Sequence, residues 1–228
     1  RLCDDLKENI SAGTILSIAA TSFSIYAYQE LRKQLNQISK LQFIFTSPTF
    51  ITDKVERTQR EFYIPKLQRE RNLYGTEYEI KLRNELTQKA IAKECSEWIK
   101  KKVTFKSNVT NQIMSSFINI KNEEIDCSYT GINGFTTADI GSDKGNNMFS
   151  NIVRVCAPSN IVFNQNFNNA WNSSEKTVDV TDKINESISN VYKENSPEFL
   201  YYFTLCNVFS KWQDEVSEDI LPKDAVGF

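Results

Sequence analysis

Thr14-Ile15-Leu16-Ser17-Ile18-Ala19-Ala20 is a short apolar run between Gly13 and Thr21-Ser22. Its length and β-branched content predict a buried parallel strand. Phe23, Ala27, Leu31, Leu35 and Ile38 then recur at three- and four-residue steps, with Lys and Gln opposite them. That spacing predicts an amphipathic helix over about 24–38, N-capped by Ser22 or Ser24. Leu41-Gln42-Phe43-Ile44-Phe45-Thr46 reads as a second strand, stopped by Ser47-Pro48. Strand, helix and strand in this order make a right-handed βαβ unit and so a parallel sheet.

Residues 49–75 are irregular and charged, broken by Pro65 and Gly75. A long helix is expected from about Thr76 to Lys101, with Tyr78, Leu82, Leu86, Ala90, Cys95, Trp98 and Ile99 as its apolar stripe. Short strands are expected at Val103–Phe105, Phe117–Ile120, Asp126–Thr130 and Met148–Cys156. Pro158 opens a helix carrying Ile161, Phe163, Phe167 and Trp171. Polar residues 172–176 suggest a boundary, so 1–172 is read as one domain and 173–228 as a helical extension. Two helices fill that extension, over about 180–194 and 197–217, the second with Phe199, Phe203, Cys206 and Phe209 on its buried side. The chain opens on Arg1 and closes on Phe228 without a finishing element, and is read as a piece of a longer protein.

Charge sharpens this picture. Over 228 residues the net charge is −2, but residues 1–52 carry +1, residues 53–106 carry +5 and residues 107–228 carry −8. A basic insert therefore sits in a mildly acidic chain. Its densest cluster is Lys100, Lys101, Lys102 and Lys106, preceded by Arg57, Arg60, Lys66, Arg69 and Arg71. Such a cluster fits a phosphate backbone, and Tyr63 and Tyr74 would stack on bases beside it. Lysines at a helix C-terminus also simply complement its dipole.

Histidine is absent altogether. That removes a Ser-His-Asp triad, a Cys-His dyad, a phosphohistidine intermediate and any histidine-ligated metal from this chain. The five cysteines, Cys3, Cys95, Cys127, Cys156 and Cys206, form no C-x-x-C pair and read as reduced thiols of a cytoplasmic protein. Four N-x-S/T sequons, at Asn9, Asn108, Asn172 and Asn185, are attributed to chance. No apolar run is long enough to span a membrane. No P-loop motif occurs, so ATP chemistry is not expected here. No metal, cofactor or catalytic residue is assigned. Asp139 and Asp143 on a turn are too few for a metal site, and Glu123, Glu124 and Asp126 read as a solvated turn.

Gly131-Ile132-Asn133-Gly134-Phe135-Thr136-Thr137 follows a strand directly and is the most motif-like stretch. It is neither a P-loop nor a dinucleotide fingerprint, and it reads first as a structural turn. Together with Phe62-Tyr63-Ile64-Pro65-Lys66, Leu73-Tyr74-Gly75-Thr76-Glu77, Lys81–Leu86, Trp98–Val103, the Phe167…Trp171 helix and the 195–222 tail, it resembles a known family. The resemblance is to the amino-terminal phospholipase D-like domain of bacterial Swi/Snf-type DEAD/DEAH helicases. It implies an α/β fold, a phospholipase D-like mixed sheet flanked by helices, and a C-terminal helical extension leading into a motor.

Active members of that superfamily use H-x-K-x4-D, in which histidine attacks a phosphodiester and lysine steadies phosphate charge. By position that motif should fall around Met114-Ser115-Ser116-Phe117, where neither residue occurs. The family's G-S-x-N-F-T turn aligns with Gly131-Ile132-Asn133-Gly134-Phe135-Thr136, so its Ser becomes Ile132 and its Asn becomes Gly134. Ser115, Phe117, Gly131, Asn133, Gly134 and Thr136 thus mark the region of a degenerate site. The resemblance then implies a non-catalytic accessory domain of an ATP-dependent DNA helicase or translocase, contacting DNA through Lys100, Lys101, Lys102, Lys106, Arg69 and Arg71. Two alternatives stay open. One is a protein-interaction or homodimerisation module. The other is a phosphodiesterase with an unorthodox nucleophile such as Ser115 or Cys127.

Overall fold

The computed structural model describes residues 1–48, 77–110, 112–142 and 151–192. The expected helix over 197–217 and Cys206, Arg57, Arg60, Lys66, Arg69, Arg71, Tyr63 and Tyr74 lie outside them. A compact unit spans Arg1–Tyr192.

Helix α1 (Leu2–Asn9) leads into strand β1 (Ile15–Ala20), helices α2 (Ile25–Glu30) and α3 (Arg32–Leu35), and strand β2 (Lys40–Phe45). Helix α4 (Glu77–Lys102) runs directly into strand β3 (Val103–Asn108). Strands β4 (Phe117–Lys121), β5 (Asp126–Thr130) and β6 (Val153–Cys156) follow, then helix α5 (Ile161–Trp171), strand β7 (Thr177–Asp179) and helix α6 (Thr181–Tyr192). These strands form one mixed sheet in the order β6-β5-β4-β1-β2-β3-β7. β1, β2 and β3 are parallel, and the remaining pairings are antiparallel.

Alternation along the strands sends Leu16, Ile18, Ala20, Leu41, Phe43, Phe45 and Phe105 to one face, where α1, α2, α4 and α6 bury them. Phe23 centres that core, edge-on to Phe43 at 5.8 Å and to Phe105 at 5.3 Å, and stacked on Phe135 at 5.8 Å. The opposite face is covered by α5, whose Phe167 buries Ala19, Ile44 and Phe117. On α5, Phe167 is buried while Ile161 is 55% exposed, so Ile161 does not share its packed face.

The apolar pattern located β1, β2 and their parallel pairing. The single helix expected over 24–38 is instead two, because Leu31 leaves the helical basin at φ −105° and ψ 11°. Ser24, not Ser22, is the cap, accepting a bond from the Tyr26 N–H at 3.2 Å. On α4 the buried line is Ile91, Ala92, Cys95, Trp98 and Ile99, and Ala90 faces solvent. Residues 177–192, read as extension, add β7 to β3 and pack α6 in the main core.

The reading of five reduced thiols is overturned. Cys127 and Cys156 face each other in register across β5 and β6 and form a disulfide. Residues far apart in sequence become neighbours once two antiparallel strands pair, and cysteine spacing alone carries no sign of that register. Cys3 and Cys95 are free and buried. Burial pushes both thiols up in pKa, so they are inert packing groups.

Candidate functional site

Parallel strands leave their carboxyl ends exposed to connecting loops, which is where ligand sites form in α/β sheets. At that end, buried Asn108 closes β3 and uses its whole amide. Its Nδ2 donates to the Thr46 carbonyl at 2.9 Å and the Gln112 carbonyl at 3.0 Å, and its Oδ1 accepts from the Thr110 N–H and hydroxyl, both at 2.8 Å. The N-V-T read as a chance sequon is therefore an Asx turn that organises the loop after β3. Across from it, the Thr21 N–H and hydroxyl donate to the Asn133 carbonyl at 3.0 and 3.2 Å. The Phe135 N–H donates to the Ser22 carbonyl at 2.8 Å and the Ser24 N–H to the Phe135 carbonyl at 3.0 Å. These bonds zip the glycine turn to the end of β1.

Between the two fixed walls lies a cleft of about 660 Å³. Thr21, Thr46, Thr110, Gln112, Ser115 and Asn133 give it a lining of hydroxyls and amides, and none of its described lining residues is charged. A neighbouring cleft of about 360 Å³ shares Thr110, Gln112 and Ser115 and adds Lys176.

Ser115, Gly131 and Asn133 of the expected degenerate site meet in the larger cleft. Gly131 sits at φ +89°, and a Cβ there would lie against the Asn151 carbonyl oxygen. Gly134 is also closely surrounded: a Cβ there would press on the side-chain atoms Ser22 Oγ and, at 2.9 Å, Asp139 Oδ2. The Thr136 hydroxyl donates to Asp139 Oδ2 at 2.5 Å and accepts from the Asp139 N–H at 3.2 Å. Gly134 and Thr136 are thus framework rather than lining. Phe117 is buried at the start of β4 with its ring edge-on to Phe163 at 5.6 Å and Phe167 at 6.4 Å. Cys127 is bonded to Cys156 and so carries no free thiol while that bond is intact. Among the described residues no group of three or more Asp, Glu, Cys or His side chains gathers as a metal site.

The four lysines read as one cluster do not act as one. Lys102 Nζ donates to the carbonyls of Asn36 and Ile38, both at 2.7 Å, and so ties the end of α4 to the chain entering β2. Lys106, on β3, donates to the Trp171 carbonyl at 2.7 Å and closes the C-terminus of α5. Lys100 and Lys101 are exposed in the last turn of α4. They stand at the amino end of β3, the opposite end of the sheet from the cleft; Lys40 at the start of β2 and Lys33 on α3 are exposed as well. Arg32, beside Lys33, pairs with Glu94 at 3.0 Å.

On the sheet face under α5, Asp126 accepts from Asn160 at 2.5 Å and Asn164 at 3.1 Å and lies 3.4 Å from Lys121. Burial opposes its charge, but these hydrogen bonds and the ammonium outweigh it and hold the carboxyl below its usual range. Two residue pairs further along, and so on the same face, Asn119 and Ser128 face each other across β4 and β5. The Asn119 amide and the Ser128 hydroxyl are buried without a hydrogen-bond partner.

Sequence reasoning missed Asn108, Thr46 and Thr21 as builders of the cleft. The one local signal was the N-x-T triplet, whose Asx geometry depends on a strand ending at Asn108. No protein-family model and no curated protein matches this chain.

Proposed function

We propose that this chain is a non-catalytic phospholipase D-like accessory domain of an ATP-dependent DNA helicase or translocase. In this reading it binds DNA and positions a motor that supplies the ATP chemistry. The observation that carries it is the division of labour among the lysines. Lys100 and Lys101 are exposed in the last turn of α4, where β3 begins, and neither forms an ion pair among the described residues. An exposed cationic rim of this kind attracts a polyanion and releases its counterions.

In this reading the cleft is a binding or framework feature. Attack on a phosphodiester needs a nucleophile, a proton carrier and a cationic group for the phosphate. The larger cleft has serine and threonine hydroxyls but no described acid, base or cation. Fluorescence anisotropy with labelled duplex and single-stranded DNA tests the reading. Binding that weakens with salt and is lost in the Lys100→Ala/Lys101→Ala double variant supports it. No binding at low salt rejects it.

A second reading follows from β6. This strand ends one side of the sheet, and Val153 on it is 53% exposed, as are Ile161 and Val162 on nearby α5 at 55% each. A strand edge left unpaired among the described residues, with apolar residues beside it, suits pairing with another protein chain. A solution mass of two chains at micromolar concentration would favour it.

A further inference from the structure

We infer that the Cys127–Cys156 bond is a thiol-exchange site with a fixed direction: Cys156 takes the incoming thiol and Cys127 leaves. Its co-reactant is a low-molecular-weight thiol of the glutathione class. The inference does not depend on DNA binding.

Three observations carry it. The two half-cystines differ sharply in exposure: Cys127 is 3% exposed on β5, whereas Cys156 is an exposed residue of β6, the last described strand on its side of the sheet. An attacking thiolate must approach a sulfur in line with the bond it breaks, so access selects Cys156. Next, the guanidinium of Arg154 reaches across from β6 and donates through Nη2 to Cys127 Sγ at 3.6 Å. A cation beside one sulfur stabilises that sulfur as a thiolate and makes it the better leaving group. Finally, the guanidinium is held in place. Its Nη1 donates to Asp5 Oδ1 at 3.1 Å and its Nη2 to Asn9 Oδ1 at 3.3 Å, both on α1, and its central carbon lies 5.8 Å from the Tyr129 ring centre. Asp5 takes up part of the positive charge, and the remainder faces the sulfur.

The step balances. A thiolate RS⁻ forms a bond to Cys156 Sγ as the Cys127–Cys156 bond breaks, and its electron pair stays on Cys127 beside Arg154. A second RS⁻ attacks the R sulfur of the mixed disulfide, releasing the Cys156 thiolate and RSSR. In reverse, the Cys127 thiolate attacks Cys156 and expels RS⁻, restoring the bond. Two thiols are oxidised for each protein disulfide reduced.

The consequence falls on β6. Besides the disulfide and the ladder, that strand is tied by the Arg154–Asp5 pair and by the Ala157 N–H donating to the Asp126 carbonyl at 2.9 Å. The Asn151 carbonyl just before it abuts Gly131 in the cleft wall. Opening the bond loosens the strand that backs this wall.

The experiment treats the native chain briefly with reduced glutathione, quenches with acid, alkylates with N-ethylmaleimide and maps both groups by peptide mass spectrometry. The expected result is glutathione on Cys156 and maleimide on Cys127. Glutathione on Cys127, or no intermediate carrying it on either residue while the bond is reduced, overturns the assignment. Arg154→Gln provides a second reading on the same native bond. A role in stabilising the leaving thiolate predicts reduction several-fold slower than in the parent chain. Unchanged or faster reduction, as expected if Arg154 merely pins β6, overturns it.

Discussion

Lys106 reaches from β3 to the last residue of α5, donating to the Trp171 carbonyl at 2.7 Å with its ammonium 4.8 Å from the centre of the Trp171 ring. A lysine that stands in a basic run of the sequence is thereby spent on ending a helix and docking it on the sheet. Lys106→Met keeps the aliphatic stem and removes the charge. It is expected to cost about 1–2 kcal/mol, from the charged hydrogen bond and the cation–π contact together. Urea unfolding checks this. DNA affinity at fixed salt is expected to stay unchanged in the same variant.

Two buried polar side chains of the sheet should respond in opposite ways. Asn108→Ala removes four hydrogen bonds that fix the loop after β3. It also leaves the Thr46 carbonyl short of a donor, for an expected loss of about 2–4 kcal/mol. Ser128→Ala removes a buried hydroxyl that has no partner. It is expected to be neutral or stabilising by up to about 1 kcal/mol. Equal losses in the two variants would contradict the bonding described for both.

Asp126 gives stability a defined acid dependence. Its folded pKa is lowered, so the stability it adds is present above the unfolded carboxylate value of about 3.9 and is lost as pH falls through the folded value. Asp126→Asn should therefore melt below the parent chain at pH 7. The gap should close as pH drops below about 4. A gap that persists undiminished under acid would mean that packing, not charge, accounts for it.

Gly131 answers for the cleft wall. An alanine there meets both the left-handed φ of +89° and the Asn151 carbonyl. The expected cost is about 2–4 kcal/mol, measured by thermal or urea unfolding. Gly13 has φ +80° but open space around it. Gly13→Ala should cost only about 1 kcal/mol, the conformational part alone.

Much of the architecture was legible along the chain. The β-branched run at 14–20 and the apolar run at 41–46 are buried on both faces, and that two-sided burial is what erased polar alternation and marked them as parallel strands. Helix α1 was missed because its buried residues, Leu2, Cys3 and Leu6, make less than two turns of signal. β7 was missed because three residues paired to β3 have no period to read. The glycine turn was legible as a turn, since Gly131 needs a backbone that other residues resist. The cleft was not, because its walls are joined by carbonyls of Thr46, Ser22 and Asn133, and backbone acceptors leave no trace in residue identity. The same cause hid the fates of Lys102 and Lys106, whose acceptors are also carbonyls.

DNA binding through the exposed lysines is the central claim, and its salt dependence tests it most directly. The affinity for duplex DNA is measured by anisotropy across a salt series, for the parent chain, for Lys100→Ala/Lys101→Ala and for Lys106→Met. Each phosphate contact contributes a slope of about 0.9 in log K against log salt. The double variant should therefore bind more weakly and lose about 2 from the slope, while Lys106→Met keeps both affinity and slope. Parent and double variant binding alike, or neither binding at low salt, would contradict the account.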